Sequence, residues 1–469
     1  MSHETSDGTP ALRRALGAWD GASITVGAVL GTAIFLTPSD IARVLPHAGL
    51  ILAVWIAGGL LTLAGALTYS EMGALFPRAG GMYHFLKEAY GPLAGFLFGW
   101  ASFLVIMSGG IAALGAGFGE YLGGFLPFFS TKHVLFALPV GGWTWSVNGG
   151  QLAGLLGIAF LTAVNLPGVE EGAWVQNLVT IAKIGALALL AAVGLFVRAP
   201  ARPDFGAALP HGFLSACGVA MIAVLWAYDG WYCFALSAGE VHDPGRNVPR
   251  GLILGTGALV VIYGVTNLVY LRALPISQMA GAERVGEAAV RALFGPATAR
   301  LASAAILVSI FGCLAANILT CSRIYQPMAE DGLFFRVLTR IHPKTRVPAA
   351  SLIAQGVWAS VLVLSGSFEQ LYTYVIFIEV LFFVLTGLAL YVLRRKFPDA
   401  PRPYRTWGYP WVPALFVAAS FVLMVNTLRE KPVEALWGLG LLVLGLPAYA
   451  LWRRRSRARG RVDSFRSDR

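Results

Sequence analysis

Long apolar stretches alternate along the chain with short loops that carry most of the charged residues. Uncharged runs at 50–70, 252–271 and 351–366 approach or reach the ~20 residues that a helix needs to cross the hydrocarbon core of a bilayer. The apolar runs, separated at their polar breaks, predict twelve spans: 19–44, 48–76, 93–123, 146–166, 172–197, 211–239, 249–273, 295–325, 348–366, 368–396, 410–428 and 433–452. The pattern therefore predicts an all-α integral membrane protein with twelve transmembrane helices.

Composition and charge agree with this prediction. The chain is 57% hydrophobic and 13% charged, whereas soluble domains carry about 25% charged residues. The net charge of +11 would also fit a nucleic-acid-binding protein, but the excess lies beside apolar spans and in the C-terminal tail. Basic clusters next to spans are typical of the positive-inside rule and of contact with anionic lipid headgroups. We therefore expect lipid as the partner of these charges, and no nucleic acid.

The basic loops indicate the orientation of the chain. Loops that share one side of the predicted topology contain the arginine-rich stretches 246–250, 336–346 and 394–405. This predicts a multi-pass protein of the inner (cytoplasmic) membrane with both termini in the cytoplasm. No removable signal peptide is visible ahead of the first span. The predicted regions are a tail at 1–18, a transporter domain at 19–452 and a basic tail at 453–469.

Cysteine and histidine positions argue against a metal centre, a cofactor or an enzyme. The four cysteines fall inside apolar segments, without metal-ligand spacing or a disulfide framework. The seven histidines are scattered, and no G-x-S-x-G nucleophile motif is present. No repeated pore sequence of the kind that channels carry is visible either. These observations leave a carrier as the favoured class.

Two spans contain matching interruptions. The first has the glycine-rich stretch Gly27-Ala-Val-Leu-Gly-Thr-Ala-Ile-Phe35, and the sixth has Trp226-Ala-Tyr-Asp-Gly-Trp231. Their separation by five spans is expected for inverted repeats, and paired interruptions indicate a substrate site near the midplane. A broken helix frees N–H and C=O groups that a substrate can satisfy. The alternative is that the glycines only permit close helix packing.

Four ordered motifs carry a resemblance to a known family. They cover roughly residues 15–450 in the family's order, and the first departs from the family pattern at its second glycine, here Ala33. The motifs are Val29-Leu-Gly-Thr-Ala-Ile-Phe-Leu-Thr-Pro38; Gly65-Ala-Leu-Thr-Tyr-Ser-Glu-Met-Gly73 with Pro77-Arg-Ala-Gly-Gly-Met-Tyr83; Trp226 to Trp231 with Gly239 to Arg250; and Thr320-Cys-Ser-Arg-Ile-Tyr325. Together they resemble the amino acid–polyamine–organocation superfamily, in its L-type amino acid transporter branch.

The resemblance implies a fold and a function. The family fold is a five-plus-five inverted repeat, here about 19–197 and 211–396, with discontinuous helices 1 and 6 and two appended helices at 410–452. The implied function is secondary transport of amino acids by alternating access, either as an exchanger or as a proton-coupled symporter. The alternative within the same fold is transport of a polyamine or another organic cation.

The resemblance also implies how a substrate is held. Backbone N–H groups of Gly31, Thr32 and Ala33 would bind the carboxylate. Backbone carbonyls near Val29, and in the sixth span at Trp226 and Asp229, would bind the ammonium group. Trp226 would act as a gate over the substrate. Helix dipoles support this arrangement, because helix N-termini attract anions and C-termini attract cations.

Three ionisable residues lie deep within predicted spans, where charge is functional by default. Lys183 matches the family's fifth-span lysine, which stands where sodium-coupled relatives bind an ion, and so disfavours sodium coupling; the alternative is a structural ion pair. Asp229 either binds a substrate cation or neutralises Lys183. Glu379 either contributes to substrate selection, titrates in proton coupling or is a structural acid.

The remaining assignments are weaker in their sequence support. Ser108 and Asn317 are candidate pocket-lining residues. Glu71 and Glu240, at inner helix ends, are expected to pair with loop arginines such as Arg78 and Arg250. Mammalian members of the branch tether a partner through a cysteine in the loop after the third span. The corresponding loop, 124–148, has no cysteine, so no disulfide-linked heavy subunit is expected.

Overall fold

The computed structural model describes residues 14–140, 143–166, 170–197, 200–206, 208–342 and 347–455. Most of the two predicted tails, 1–13 and 456–469, lies outside the described residues. Helices dominate because backbone polar groups in hydrocarbon must find partners within the chain, and a helix satisfies them internally. The helices are α1 Ala18–Val29, α2 Ala33–Val44, α3 Ala48–Leu75, α4 Met82–Tyr90, α5 Pro92–Ala101, α6 Met107–Leu122, α7 Gly149–Val164, α8 Glu170–Phe196, α9 Phe213–Tyr228, α10 Cys233–Leu236, α11 Pro244–Ala273, α12 Ile276–Gly281, α13 Val285–Phe294, α14 Pro296–Cys321, α15 Tyr325–Glu330, α16 Ala349–Val363, α17 Phe368–Lys396, α18 Trp411–Glu430 and α19 Pro432–Val443.

The long apolar helices make this a multi-pass membrane protein. In the described ranges, seven helical stretches are long and apolar enough to span a bilayer. The pair α1 and α2 also qualifies as one span bent by 48°, and four shorter apolar helices accompany them. Each of these lies where the hydropathy pattern predicts a span. The total of twelve spans and the inverted repeat stay predictions.

The first and sixth spans are interrupted, as the sequence predicts. Helix α1 ends at Val29, the chain is non-helical through Leu30 to Thr32, and α2 begins at Ala33. Helix α9 ends at Tyr228, and α10 begins only at Cys233. The two interruptions lie side by side in the buried interior of the bundle, because α2 packs against α9 and α1 packs against α10.

The loop after α6 contains a β-hairpin that the hydropathy pattern does not reveal. Strands β1 Val134–Val140 and β2 Trp143–Asn148 pair antiparallel, with Leu138 opposite Trp145. The indole of Trp145 donates to the carbonyl of Leu364, 3.0 Å away, which attaches the hairpin to the turn between α16 and α17. The segment 275–296 forms two short helices, α12 and α13.

Buried acids fasten helix ends, but with other partners than those predicted. Glu71 binds Arg394 at 2.7 Å and Arg402 at 3.3 Å, not Arg78. Arg394 follows the apolar run of α17 and Arg402 lies in the next loop, so only the packing of α17 against α3 brings them to Glu71. Pairing of Glu71 with arginines of a basic inner loop, here 394–405, is therefore confirmed, but the named example, Arg78, was wrong.

Glu240 likewise does not pair with Arg250. Its carboxylate binds Arg323, two residues after the end of α14, 2.6 Å away, and both side chains are buried. The Glu240 carbonyl accepts hydrogen bonds from the N–H groups of Ala15 and Leu16. The chain ahead of α1 is thus attached to the segment that follows α10.

Candidate functional site

The break in the first span depends on the small size of Gly31. A Cβ atom at this position would lie 2.7 Å from the Cys313 sulfur and 3.0 Å from a methyl group of Leu114. Both distances are too short for ordinary contact, so a side chain would force neighbouring helices apart. The glycine therefore lets the break approach α14 and α6 closely.

Two of the three predicted carboxylate donors are free. The N–H group of Gly31 donates to the Val29 carbonyl at 2.8 Å, so this donor is already occupied. Thr32 and Ala33 donate to no acceptor within the described part of the chain. They open α2, and the first N–H groups of a helix have no partner inside it. The anion site predicted at Gly31, Thr32 and Ala33 is therefore narrowed to the last two.

Side chains from other spans satisfy the carbonyls at the end of α1. The Ala28 carbonyl accepts from the Cys313 thiol at 3.0 Å and the Asn317 amide at 3.2 Å. The Tyr263 hydroxyl lies 3.3 Å from the Val29 carbonyl and 2.9 Å from the carbonyl of Ala227 on α9. Val29 already accepts from Gly31, so its carbonyl is a poorer ammonium acceptor than the sequence led us to expect.

Lys183 on α8 also binds the end of α1. Its ammonium group is 3.2 Å from the Leu30 carbonyl and 3.5 Å from that of Gly27, and the residue is buried. Among the described residues it has no carboxylate within 4 Å, so it forms no ion pair with Asp229. A fixed positive charge thus stabilises the broken end of α1, where the helix dipole is negative.

The sixth-span break places an acid at the end of α9. Asp229 has extended backbone geometry, and Gly230 follows with φ +93°, a left-handed conformation that favours glycine. The Asp229 carboxylate accepts from the Gly230 N–H at 2.6 Å. The Asp-Gly pair therefore both ends the helix and presents a carboxyl group at its negative pole.

A small cavity of about 20 Å³, room for about one water molecule, lies between the two breaks. Pockets for small ligands usually begin at about 300 Å³, so an amino acid can enter only if the two breaks move apart from this closed conformation. Free donors of α2 lie on one side, and Asp229 with the end of α9 lies on the other. The lining residues are Ala28, Val29, Thr32, Ala33, Gly110, Leu114, Trp226, Asp229 and Asn317.

Aromatic side chains close the cavity on the side toward which α2 runs. The Trp226 indole is stacked on the Tyr372 ring with centroids 5.9 Å apart, and Phe368 contacts both rings. The Tyr372 hydroxyl donates to the Asp40 carboxylate of α2 at 2.8 Å. This lid joins α2, α9 and α17, and it places Trp226 where a gate is predicted; the gating role stays a prediction.

Three predicted residues, Gly31, Ser108 and Glu379, do not line the cavity. Ser108 is buried on α6, but its helix contributes Gly110 and Leu114 to the lining instead. Glu379 is fully buried on α17 behind the sixth-span break, where the Tyr232 hydroxyl donates to it at 2.5 Å. Of the two candidate lining residues, only Asn317 reaches the cavity.

Sequence reasoning missed Tyr263, Cys313 and the pair formed by Asp40 and Tyr372. Tyr263 and Asp40 carried a usable signal, since each is a polar group inside an apolar span. Cys313 carried none, because a buried cysteine usually behaves as a small apolar residue. All of them contact the breaks or the lid only through packing between distant helices.

Comparison with known proteins identifies the class to which this fold and site belong. The family described as amino acid permease matches residues 16–440. The chain therefore belongs to the amino acid permease family, within the superfamily that its motifs resemble. It is a transporter and not an enzyme.

Particular relatives cover nearly the whole chain. The serine/threonine exchanger SteT of Bacillus subtilis is 30% identical over 443 residues, which are 93% of this chain and 96% of the relative. The human b(0,+)-type amino acid transporter 1 is 29% identical over 95% of this chain and 89% of the relative. The human large neutral amino acids transporter small subunit 2 is 29% identical over 95% of this chain and 81% of the relative. The family match at 16–440 includes both breaks and the residues that line the cavity.

Proposed function

We propose that this protein is a sodium-independent secondary transporter of amino acids that works by alternating access. The observation that carries the proposal is the cavity between free helix-end donors and a carboxyl group. Thr32 and Ala33 offer N–H groups to a carboxylate, and Asp229 with the end of α9 offers acceptors to an ammonium group. A zwitterion matches this distribution of charge. The named relatives support amino acids as the substrate class.

Lys183 is the reason for proposing sodium independence. Its ammonium group already occupies the carbonyls of Gly27 and Leu30 that a coupling cation would need. A second cation beside it would be repelled in a medium of low dielectric constant. Transport would then run by exchange of amino acids or by proton symport.

Alternating access would use the closures on either side of the cavity. The lid of Trp226 and Tyr372 closes one side, and the Glu240–Arg323 ion pair closes the end where the chain begins. With the basic loops in the cytoplasm, the ion pair would face the cytoplasm and the lid would face outward. We place the protein in the cytoplasmic membrane on that basis, without a disulfide-linked heavy subunit.

A second candidate substrate class is polyamines and other organic cations. Asp229 lines the cavity and Glu379 lies behind it, so the site is richer in acids than a purely zwitterionic substrate requires. A cation without a carboxylate would leave the donors of Thr32 and Ala33 unsatisfied. For that reason amino acids remain the favoured class.

Uptake into proteoliposomes tests the proposal. Purified protein is reconstituted into liposomes that contain either L-serine at about 1 mM or buffer alone. Uptake of radiolabelled L-serine, L-lysine and putrescine is then followed with sodium or choline in the external buffer. Stimulation by internal amino acid, unchanged in choline, is the expected result for an exchanger. Dependence on sodium would contradict the assignment of Lys183, and uptake of putrescine alone would favour the second class.

A further inference from the structure

A contact between two acids lies directly behind the cavity. Asp229, in the sixth-span break, interacts with Glu379 on α17, and Tyr232, three positions after Asp229, donates to the same Glu379 carboxyl group at 2.5 Å. An ionised carboxylate only accepts hydrogen bonds, so two carboxylates cannot bond unless one of them carries a proton. The contact therefore requires a proton, or else places two like charges together in a buried site.

The second carboxyl oxygen of Glu379 independently indicates a missing donor. The residue is 0% exposed, and Tyr232 donates to its Oε1 atom at 2.5 Å. Its Oε2 atom is buried and receives no hydrogen bond from a nitrogen or hydroxyl group in the described part of the chain. Burial of an unsatisfied carboxylate oxygen is costly. A proton shared with Asp229 would satisfy it.

No fixed cation among the described residues offsets the charge of this pair. Neither acid has a lysine or arginine nitrogen within 4 Å, and Lys183 is held by the carbonyls of α1. The other titratable groups facing the pair are neutral hydroxyls and thiols when protonated. They are Tyr232 and Cys233 beside the break, Cys313 and Cys321 on α14, and Tyr69 on α3.

We propose that Asp229 and Glu379 form one proton-binding site, and that its proton competes with the positively charged group of the substrate. The pair carries one negative charge while it holds the proton. When a substrate cation reaches Asp229 from the cavity, the proton leaves to water and the cation replaces its charge. The net charge of the site is then the same in both states. The inference rests on the proposed function, because it requires a substrate cation beside Asp229.

Proton release on binding is the direct test. Titration calorimetry on the purified full chain with L-serine and with L-lysine, in buffers of different ionisation enthalpy, counts the protons released per ligand. The expected result for the wild type is up to about one proton, with affinity falling as much as about tenfold per unit decrease in pH where the pair is protonated. A wild type that binds either ligand without releasing a proton would overturn the proposal.

Matched variants on α17 locate the proton. Glu379→Gln keeps the shape and supplies an amide donor to Asp229, so binding should persist with no proton release. Glu369→Gln changes an acid on the same helix whose side chain is 50% exposed, and it should release protons as the wild type does. If Glu379→Gln released as many protons per ligand as the wild type, the proton could not be assigned to the Asp229–Glu379 pair. If Glu379→Gln does not fold, the wild-type measurement alone decides.

The outcome separates this inference from the proposed function. If neither L-serine nor L-lysine binds, and no other amino acid raises the melting temperature, the proposed function fails. If ligands bind and are transported without proton release, the function stands and the proton site does not.

Discussion

Replacement of Lys183 by methionine tests the physical basis of the first-span break. Methionine has a similar length but no donor, so the change removes the hydrogen bonds to Leu30 and Gly27 at 3.2 and 3.5 Å. A hydrogen bond to a charged group contributes about 1.5–3 kcal/mol, and the longer contact adds little. The carbonyls left behind are buried, because Leu30 is 0% exposed and water does not reach it easily. We therefore expect a loss of about 1.5–3 kcal/mol from the conformation that binds substrate.

That energy converts into a measurable loss of affinity. Each 1.4 kcal/mol is a factor of ten, so the variant should bind amino acid about 10- to 100-fold more weakly. The assay is calorimetry or ligand-induced thermal stabilisation, with uptake into proteoliposomes measured in parallel. Uptake at the wild-type rate, with unchanged affinity, would refute the argument that Lys183 holds the break.

Two further lysine variants make the result specific. Lys183→Arg keeps a charge and donors, although its geometry differs, and should retain more binding than methionine does. Lys132→Met removes a lysine that is paired with Glu283 at 2.8 Å on the surface. Exposed ion pairs contribute little, so this control should behave as the wild type. Equal loss in Lys132→Met would show that the defect is not local to the break.

Three other substitutions probe the packing around the site. Gly31→Ala should lower stability by about 1–3 kcal/mol and weaken binding, because its new Cβ would lie 2.7 Å from the Cys313 sulfur; thermal melts and calorimetry measure both. Glu71→Gln removes the charged partner of Arg394 at position 71, where the side chain is 1% exposed. The free energy of unfolding should fall by as much as about 3–5 kcal/mol, which a lower melting temperature would report. Tyr372→Phe removes the 2.8 Å hydrogen bond to Asp40, a change of about 0.5–1.5 kcal/mol, and should speed dissociation of bound substrate about two- to tenfold in a chase experiment.

Matched changes at open or exposed positions control the substitutions of Gly31 and Glu71. Gly257→Ala has nothing within 4 Å of the new Cβ and should not destabilise the protein. Glu369→Gln alters a half-exposed acid and should leave the melting temperature within about 0.5 kcal/mol of the wild type. If Gly31→Ala were as stable as Gly257→Ala, close packing would not be what shapes the break. If Glu369→Gln lowered the melting temperature as much as Glu71→Gln does, the effect at Glu71 could not be attributed to burial.

The sequence by itself predicted the class of the molecule and the location of its breaks. Apolar runs of span length are a local property, because a helix in hydrocarbon must satisfy its backbone within one segment. The interruptions were also readable, since Gly31 and the Asp229-Gly230 pair are local breakers of a helix. The same reasoning identified Lys183 and Glu379, because charge inside an apolar run is visible without any knowledge of packing.

Only the tertiary structure decided which groups meet. Glu71 binds Arg394, 323 positions away, and Tyr263 joins the two breaks; neither contact follows from any spacing along the chain. The structure also showed that Gly31 has no free donor and that Ser108 does not line the cavity. Hydropathy determines that a segment crosses the membrane. Which side chain faces which neighbour depends on the rotation and packing of helices that are distant in sequence, and no local pattern encodes it.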